Sequence, residues 1–84
     1  MESIINDYIS RELVRTPEWL PLQNDTSLLD TNILDSLSLL KLVMFLEQQF
    51  GVQIEPEELI PEHFETVAHI CAFIRKQQQM QASR

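Results

Sequence analysis

Short apolar stretches at helical spacing alternate along the chain with polar, proline-bearing connections, and this alternation outlines the elements. Ile4, Ile5, Tyr8, Ile9 and Leu13 recur three to five positions apart, the mark of an amphipathic first helix. Thr16 precedes Pro17, a junction that disfavours helical backbone, and Pro21 follows inside "TPEWLPLQNDTSLLDTN", so a long loop is expected there. Such a loop needs packing of its own; Trp19, Leu20, Leu22, Leu28 and Leu29 can supply it, with Trp19 as its anchor to the core. A second helix should open at Asp35 or Ser36, both N-cap residue types, and close at Gly51 in the left-handed C′ conformation. Pro56 and Pro61 confine "VQIEPEELIPEHF" to a short third helix, with Pro56 at N1 and Glu57 and Glu58 in its first turn. Thr66 can cap a last helix whose Val67, Ile70, Cys71 and Ile74 follow the i, i+3, i+4, i+7 spacing, before residues 77–84 fray into a polar tail. The expected fold is all-α: a four-helix bundle with a short third helix and a long loop between helices one and two, in a single domain over 1–84.

The second helix carries more apolar residues than a small core needs. Leu39, Leu42, Val43, Leu46 and Phe50 share one narrow stripe, and that stripe alone suffices to face a bundle core. Leu37, Leu40 and Met44 form a second stripe, roughly 100–160° away round the helix and flanked by Lys41 and Gln48. Two readings fit: a helix buried nearly all round, or a stripe left free for a partner, where an adaptable methionine suits successive partners.

Composition restricts the function classes. A chain of 84 residues buries only about 60% of the surface its unfolded form exposes, which leaves little room for an enzyme cleft. The net charge of −7 argues against nucleic acid or an anionic membrane as partner and favours basic protein surfaces. Between Lys41 and Arg75 there is no Lys or Arg, while Glu47, Glu55, Glu57, Glu58, Glu62 and Glu65 fall in that interval; beside an apolar stripe, such a run reads as steering as well as solvation. The lone Cys71 cannot form an internal disulfide and sits on the apolar face of the last helix. It is read as core, and the chain as cytosolic and monomeric, with no export signal in "MESIINDYIS". The most apolar run, Leu37 to Leu46, is interrupted by Ser38 and Lys41 and falls well short of the ~20 residues of a membrane span.

Ser36 is the candidate for chemistry. As a nucleophile of its own it lacks flanking elbow glycines, which disfavours a small hydrolase. As a plain N-cap it would stabilise the helix by about 1 kcal/mol. As an acceptor of a phosphoryl-linked group it would use the free N–H groups and partial positive charge of a helix start. His63 and His69, six apart, do not match a helical metal pair, and Asp25, Asp30 and Asp35 lack the spacing and glycine of a calcium loop, so no metal is assigned.

The stretch "LLDTNILDSLSLLKLVMFLEQQFGVQIEPEEL", with its DSL tripeptide, Leu42, Leu46, "EQQFGVQI" and the closing "TVAHICAFI", resembles the acyl and peptidyl carrier proteins. The resemblance covers almost the whole chain and implies a four-helix carrier fold with no catalytic residues. It also implies that Ser36 bears 4′-phosphopantetheine, installed from coenzyme A by a phosphopantetheinyl transferase, with Asp35 as the aspartate that precedes the serine. The arm's thiol would hold an acyl or aminoacyl thioester. Leu37, Leu40, Lys41, Met44, Glu57 and Glu58 would form the docking surface for an adenylating enzyme and for tailoring or condensing enzymes downstream. The fatty-acid type has GxDSL and an acid-rich second helix; here Asn32 stands four before the serine, able to take a left-handed turn, and Lys41 replaces an acid. The pattern looks closer to stand-alone aminoacyl carriers of natural-product or nonribosomal-peptide assembly, such as prolyl carriers, or to the D-alanyl carrier of cell-wall modification. A fatty-acyl or polyketide carrier is the alternative, and a non-covalent helical adaptor with Ser36 as a simple cap is the rival of another class.

Overall fold

The computed structural model describes residues 1–15 and 17–82, the side chain of Ala82 excepted; Thr16, where the loop was expected to leave the first helix, and the last two residues of the tail lie outside these. Helix α1 (Glu2–Tyr8) continues without a break into a π-helical turn, Ile9–Leu13, in which the Val14 N–H donates to the Ile9 carbonyl at 2.9 Å. Residues four apart drift round a regular α-helix, and the wider turn cancels the drift, so that Ile5, Ile9 and Leu13 all reach the interior.

The loop from Val14 to Asp35 is tied down by hydrogen bonds. Asn6 Nδ2 donates to the Leu22 carbonyl at 2.8 Å and to Asn24 Oδ1 at 3.0 Å. The Asn24 carbonyl in turn accepts the Ala68 N–H, an orphan donor at the start of the last helix, and the Leu28 N–H reaches the Glu65 carbonyl just before it. Leu22, Leu28, Ile33 and Leu34 carry its apolar anchoring. Trp19, expected to do so, does not: it closes a single 3-10 turn, Pro17–Trp19, and stays 39% exposed, as does the neighbouring Leu20 at 45%. Leucine and isoleucine side chains fill the interior under the loop, and the indole lies over a surface hollow beside Leu13 and Asn32.

Helix α2 (Ser36–Phe50) closes at Gly51, whose left-handed φ of 65° turns the chain as expected. Its inner face buries Leu42, Val43 and Leu46, with Leu39 and Phe50 half-buried at the margin. Phe45, on a different side, stacks on Tyr8 of α1 with ring centroids 4.0 Å apart. The expected short third helix is instead two separate 3-10 turns, Pro56–Glu58 and Pro61–His63. Pro61 forces Ile60 into extended backbone, φ −103° and ψ 150°, and this interrupts any helix running between the prolines.

Helix α3 (Val67–Ala82) starts where expected: Thr66 Oγ1 accepts the His69 N–H at 3.1 Å, and Val67, Ile70, Cys71 and Ile74 are buried. Its end corrects the expectation of a frayed tail from residue 77, since the helix runs on to Ala82. Gln77 is only 4% exposed and donates from Nε2 to Glu58 Oε2 at 2.6 Å, while Gln81 both accepts from the Gln53 N–H and donates to the Gln53 carbonyl. The glutamines thus act as lateral clasps, which a hydropathy pattern does not register. His63 completes the clasp, stacked on Phe73 at 4.3 Å and donating from Nδ1 to the Glu58 carbonyl at 2.9 Å.

Replacing Gln77 with Ala strands the Glu58 carboxylate beside α3 and should lower stability by about 1–3 kcal/mol, read from the urea midpoint at unchanged slope. An unchanged midpoint would remove the clasp from the account of how residues 55–63 are held.

Candidate functional site

The start of α2 is built by three consecutive devices. Asn32 takes the left-handed conformation at φ 59°, the turn a glycine would otherwise make. Ile33 and Leu34 then plug into the core, at 5% and 6% exposure, and fix the height at which the helix begins. Asp35 is the N-cap: it is extended, and its Oδ1 accepts the Ser38 N–H at 2.9 Å. Ser36 is therefore the first helical residue and not the cap. It is exposed, and among the described residues its hydroxyl has no hydrogen-bond partner.

The Asp35 carboxyl is held below its ordinary pKa of 3.8, first by the Ser38 backbone N–H and then by the Ser38 side chain, against desolvation, with smaller help from the Arg15 charge and the Leu37 backbone N–H. Ser38 itself is buried at 4%. The cap is thus a charged aspartate locked onto the first turn, and the neighbouring serine is left with a free hydroxyl.

Beside Ser36 opens a groove of about 240 Å³, lined by Leu29, Leu34, Leu39, Leu59, Ile60, Pro61 and Phe64 together with Asp35 and Ser36. It brings the serine together with the second 3-10 turn, a juxtaposition that spacing alone does not reveal. Ile60 on its rim and Phe64 in its wall were missed from the sequence; the signal available for Ile60 was the apolar pair Leu59–Ile60 set between Pro56 and Pro61 in "PEELIPEHF". A larger hollow of about 720 Å³ lies elsewhere, between α1 and residues 22–24. Its lining of Glu2, Asp7, Ser3 and Ser10 beside asparagines has no base poised on a nucleophile.

The second stripe of α2 is exposed, which excludes a helix buried nearly all round: Leu37 at 68%, Leu40 at 55% and Met44 at 61% stand in solvent. Lys41 and Glu57 are also exposed. Glu58 differs from the other residues of the expected docking surface, because its carboxylate is engaged within the chain. Oε1 accepts the Glu55 N–H at 2.9 Å and Oε2 the Gln77 amide. Among the described residues no three His, Cys, Asp or Glu side chains converge as metal ligands. None of the helices among them is long and apolar enough to cross a membrane.

The family described as "Phosphopantetheine attachment site" matches residues 8–74. The chain belongs to this family. It is a family of carriers and not of catalysts, and its cofactor is covalently attached 4′-phosphopantetheine. A similar curated protein is the probable acyl carrier protein PigG of Serratia sp. (strain ATCC 39006), 36% identical over 55 residues; the match covers 66% of this chain and 63% of PigG's length. A chain in a solved structure described as "Crystal structure of FAD-dependent dehydrogenase" is 40% identical, with a TM-score of 0.76 over 83% of this chain and 97% of that one. The all-helical carrier fold expected from the sequence stands with these likenesses, its third helix reduced to 3-10 turns. The site fits the family's cofactor: a free hydroxyl on the first helical residue, open to solvent, can accept a phosphodiester without breaking any hydrogen bond of the fold.

Because the folded pKa of Asp35 is depressed, its stabilising effect is complete above the ordinary carboxylate value and is lost as pH falls through the lowered one. Asp35→Asn keeps a capping oxygen but not the charge, so melts in an acid series should show a shallower loss of stability than the wild type. Parallel acid limbs would exclude the Asp35 charge as the source.

Proposed function

We propose that this chain is a carrier domain holding an aminoacyl group, as a thioester, on a 4′-phosphopantetheine arm attached to Ser36. The single observation that carries the assignment of Ser36 is the division of labour at the helix start. Asp35 performs the capping for which a serine is commonly used, and the exposed hydroxyl beside it has no partner among the described residues. When bound, the arm supplies a terminal thiol on a long tether. The chain's part is to present that tether from a rigid helix end and to offer partners a surface to dock on.

The docking surface is Leu37, Leu40 and Met44 on α2 with Ile60 across the groove, all exposed, and with Lys41 and Glu57 as its charged border. Glu58 contributes by shaping the segment, its carboxylate being already engaged. The partners proposed are a phosphopantetheinyl transferase, an adenylating enzyme that loads the thiol, and enzymes that modify or condense the tethered group. The solved chain similar to this one is about as short as this one, on the shares of each that align, and stands in a structure described as an FAD-dependent dehydrogenase. A flavin-dependent dehydrogenase acting on the tethered group is therefore included among the downstream partners.

An aminoacyl cargo is favoured over a long acyl chain on two grounds. The groove beside Ser36 is small and open, and a net charge of −7 attracts the ammonium of an aminoacyl thioester, whereas an acyl thioester is neutral. A cytoplasmic setting is proposed with it, on the free, buried thiol of Cys71.

Incubation with coenzyme A, magnesium and a broad-specificity phosphopantetheinyl transferase should add a single phosphopantetheinyl mass to the wild type and none to Ser36→Ala, with the fold of the variant intact. Addition to the alanine variant would move the site. No addition to an unmodified, folded wild type would favour the non-covalent adaptor. With the arm in place, Met44→Glu should weaken loading by the adenylating enzyme at least tenfold in kcat/KM, about 1.4 kcal/mol, while leaving the thermal midpoint close to wild type. Unchanged loading would take Met44 out of the docking surface.

A further inference from the structure

The arm's root has a charge problem that the fold is equipped to solve. A phosphodiester on Ser36 places a negative charge directly beside the Asp35 carboxylate, which stays ionised as the cap, on a chain already at −7. Two hollows meet at Asp35. One is the apolar groove beside Ser36; the other, about 180 Å³, is lined by Leu13, Arg15, Trp19, Asn32, Asp35 and Ser38, among others.

Arg15 is the cation of that second hollow. Its side chain is exposed and has no ion-pair partner among the described residues, and it is close enough for its charge to act on the Asp35 carboxyl. Asp35 Oδ1 accepts the Ser38 N–H, and no hydrogen bond or ion pair engages the guanidinium among the described residues. The other Lys and Arg side chains among the described residues are less well placed. Arg11 is paired with Asp7 at 2.7 Å, and Arg75 and Lys76 belong to α3. Lys41 lies five residues along α2 from Ser36, roughly 140° round the helix.

We propose that Arg15 is the counter-charge for the phosphate at the root of the arm, drawing it over Asp35 towards the hollow lined by Trp19 and Asn32. This rests on Ser36 being the attachment site. A guanidinium presents paired donors that match two phosphate oxygens, whereas an ammonium offers only a point charge. Arg15 is accordingly a positioning residue: it sets the direction in which the tether leaves the protein, away from the apolar groove.

The test compares apo and holo forms of the wild type, Arg15→Gln and Arg15→Lys, with intact mass establishing first that each holo sample carries one arm. Attachment should raise the melting temperature of the wild type relative to its apo form by roughly 1–6 °C more than it does for Arg15→Gln. The phosphodiester 31P resonance should move in Arg15→Gln, and raising the salt should shift the wild-type resonance towards that of the variant. Arg15→Lys should fall between the two. Equal holo-minus-apo differences, with a 31P shift indifferent to Arg15 and to salt, would overturn the pairing while leaving the attachment site intact. Failure of the wild type to gain the arm's mass would overturn both.

Discussion

The functional end of the molecule depends on the capping of α2 by Asp35. A helix start must satisfy its leading N–H groups, and in a small domain the residue that does so is usually consumed by the task. Here the task falls to a carboxylate one position before the serine, with the chain pinned behind it by Ile33 and Leu34 in the core and by Asn32 in a left-handed turn. The serine is then held by a rigid backbone but owes nothing to the fold. A group attached there does not disturb capping or packing, and replacing the hydroxyl does not undo the helix. Swapping the two roles would make every modification of the serine a perturbation of stability.

The same helix has to serve two environments. Leu42, Val43 and Leu46 close the core, while Leu37, Leu40 and Met44 remain in solvent on another face. Exposed apolar side chains of this number make a patch well below what a permanent partner needs, which suits the brief docking proposed for them. A carrier that visits several enzymes requires dissociation to be fast, and small apolar contact with charged borders provides it. The segment from Glu55 to His63 lies beside the docking surface proposed, and its position is set by Gln77, Glu58 and His63 and not by helical packing.

Much of this was legible in the sequence because it rests on local rules. The Asp35 and Gly51 boundaries, the left-handed Asn32, the Thr66 cap and the buried Cys71 each follow from what one residue type does best in one backbone setting. What was not legible depended on tertiary partners. Trp19 was assigned to the core by size, but the loop's hydrogen bonds to Asn6, Glu65 and Ala68, with leucines beneath, leave it at the surface. The polar composition of residues 77–84 suggests fraying, whereas the amide bonds that Gln77 and Gln81 make to Glu58 and Gln53 hold the helix as far as Ala82. The doublet of 3-10 turns was nearer to reach: the restriction that Pro61 places on Ile60 is itself a local rule. The free hydroxyl of Ser36 could be narrowed to a choice between two adjacent cap types, and the choice was decided by the Ser38 N–H, which bonds to only one of them.

The acidic character of the chain follows from the same economy of roles. An apolar docking patch on a small, neutral protein invites self-association, and net charge opposes it without altering the patch. The acids are concentrated in the Glu47–Glu65 interval, and most project from irregular backbone. They can steer a basic partner towards the groove without being part of the core. The cost is local: any anion added at Ser36 enters a negative field, strongest at the neighbouring Asp35, which the helix cannot give up. A cation near that point resolves the conflict only if it is not already spent on a salt bridge. Among the described residues Arg15 lines the hollow at Asp35 and has no ion-pair partner, whereas Arg11 is paired with Asp7.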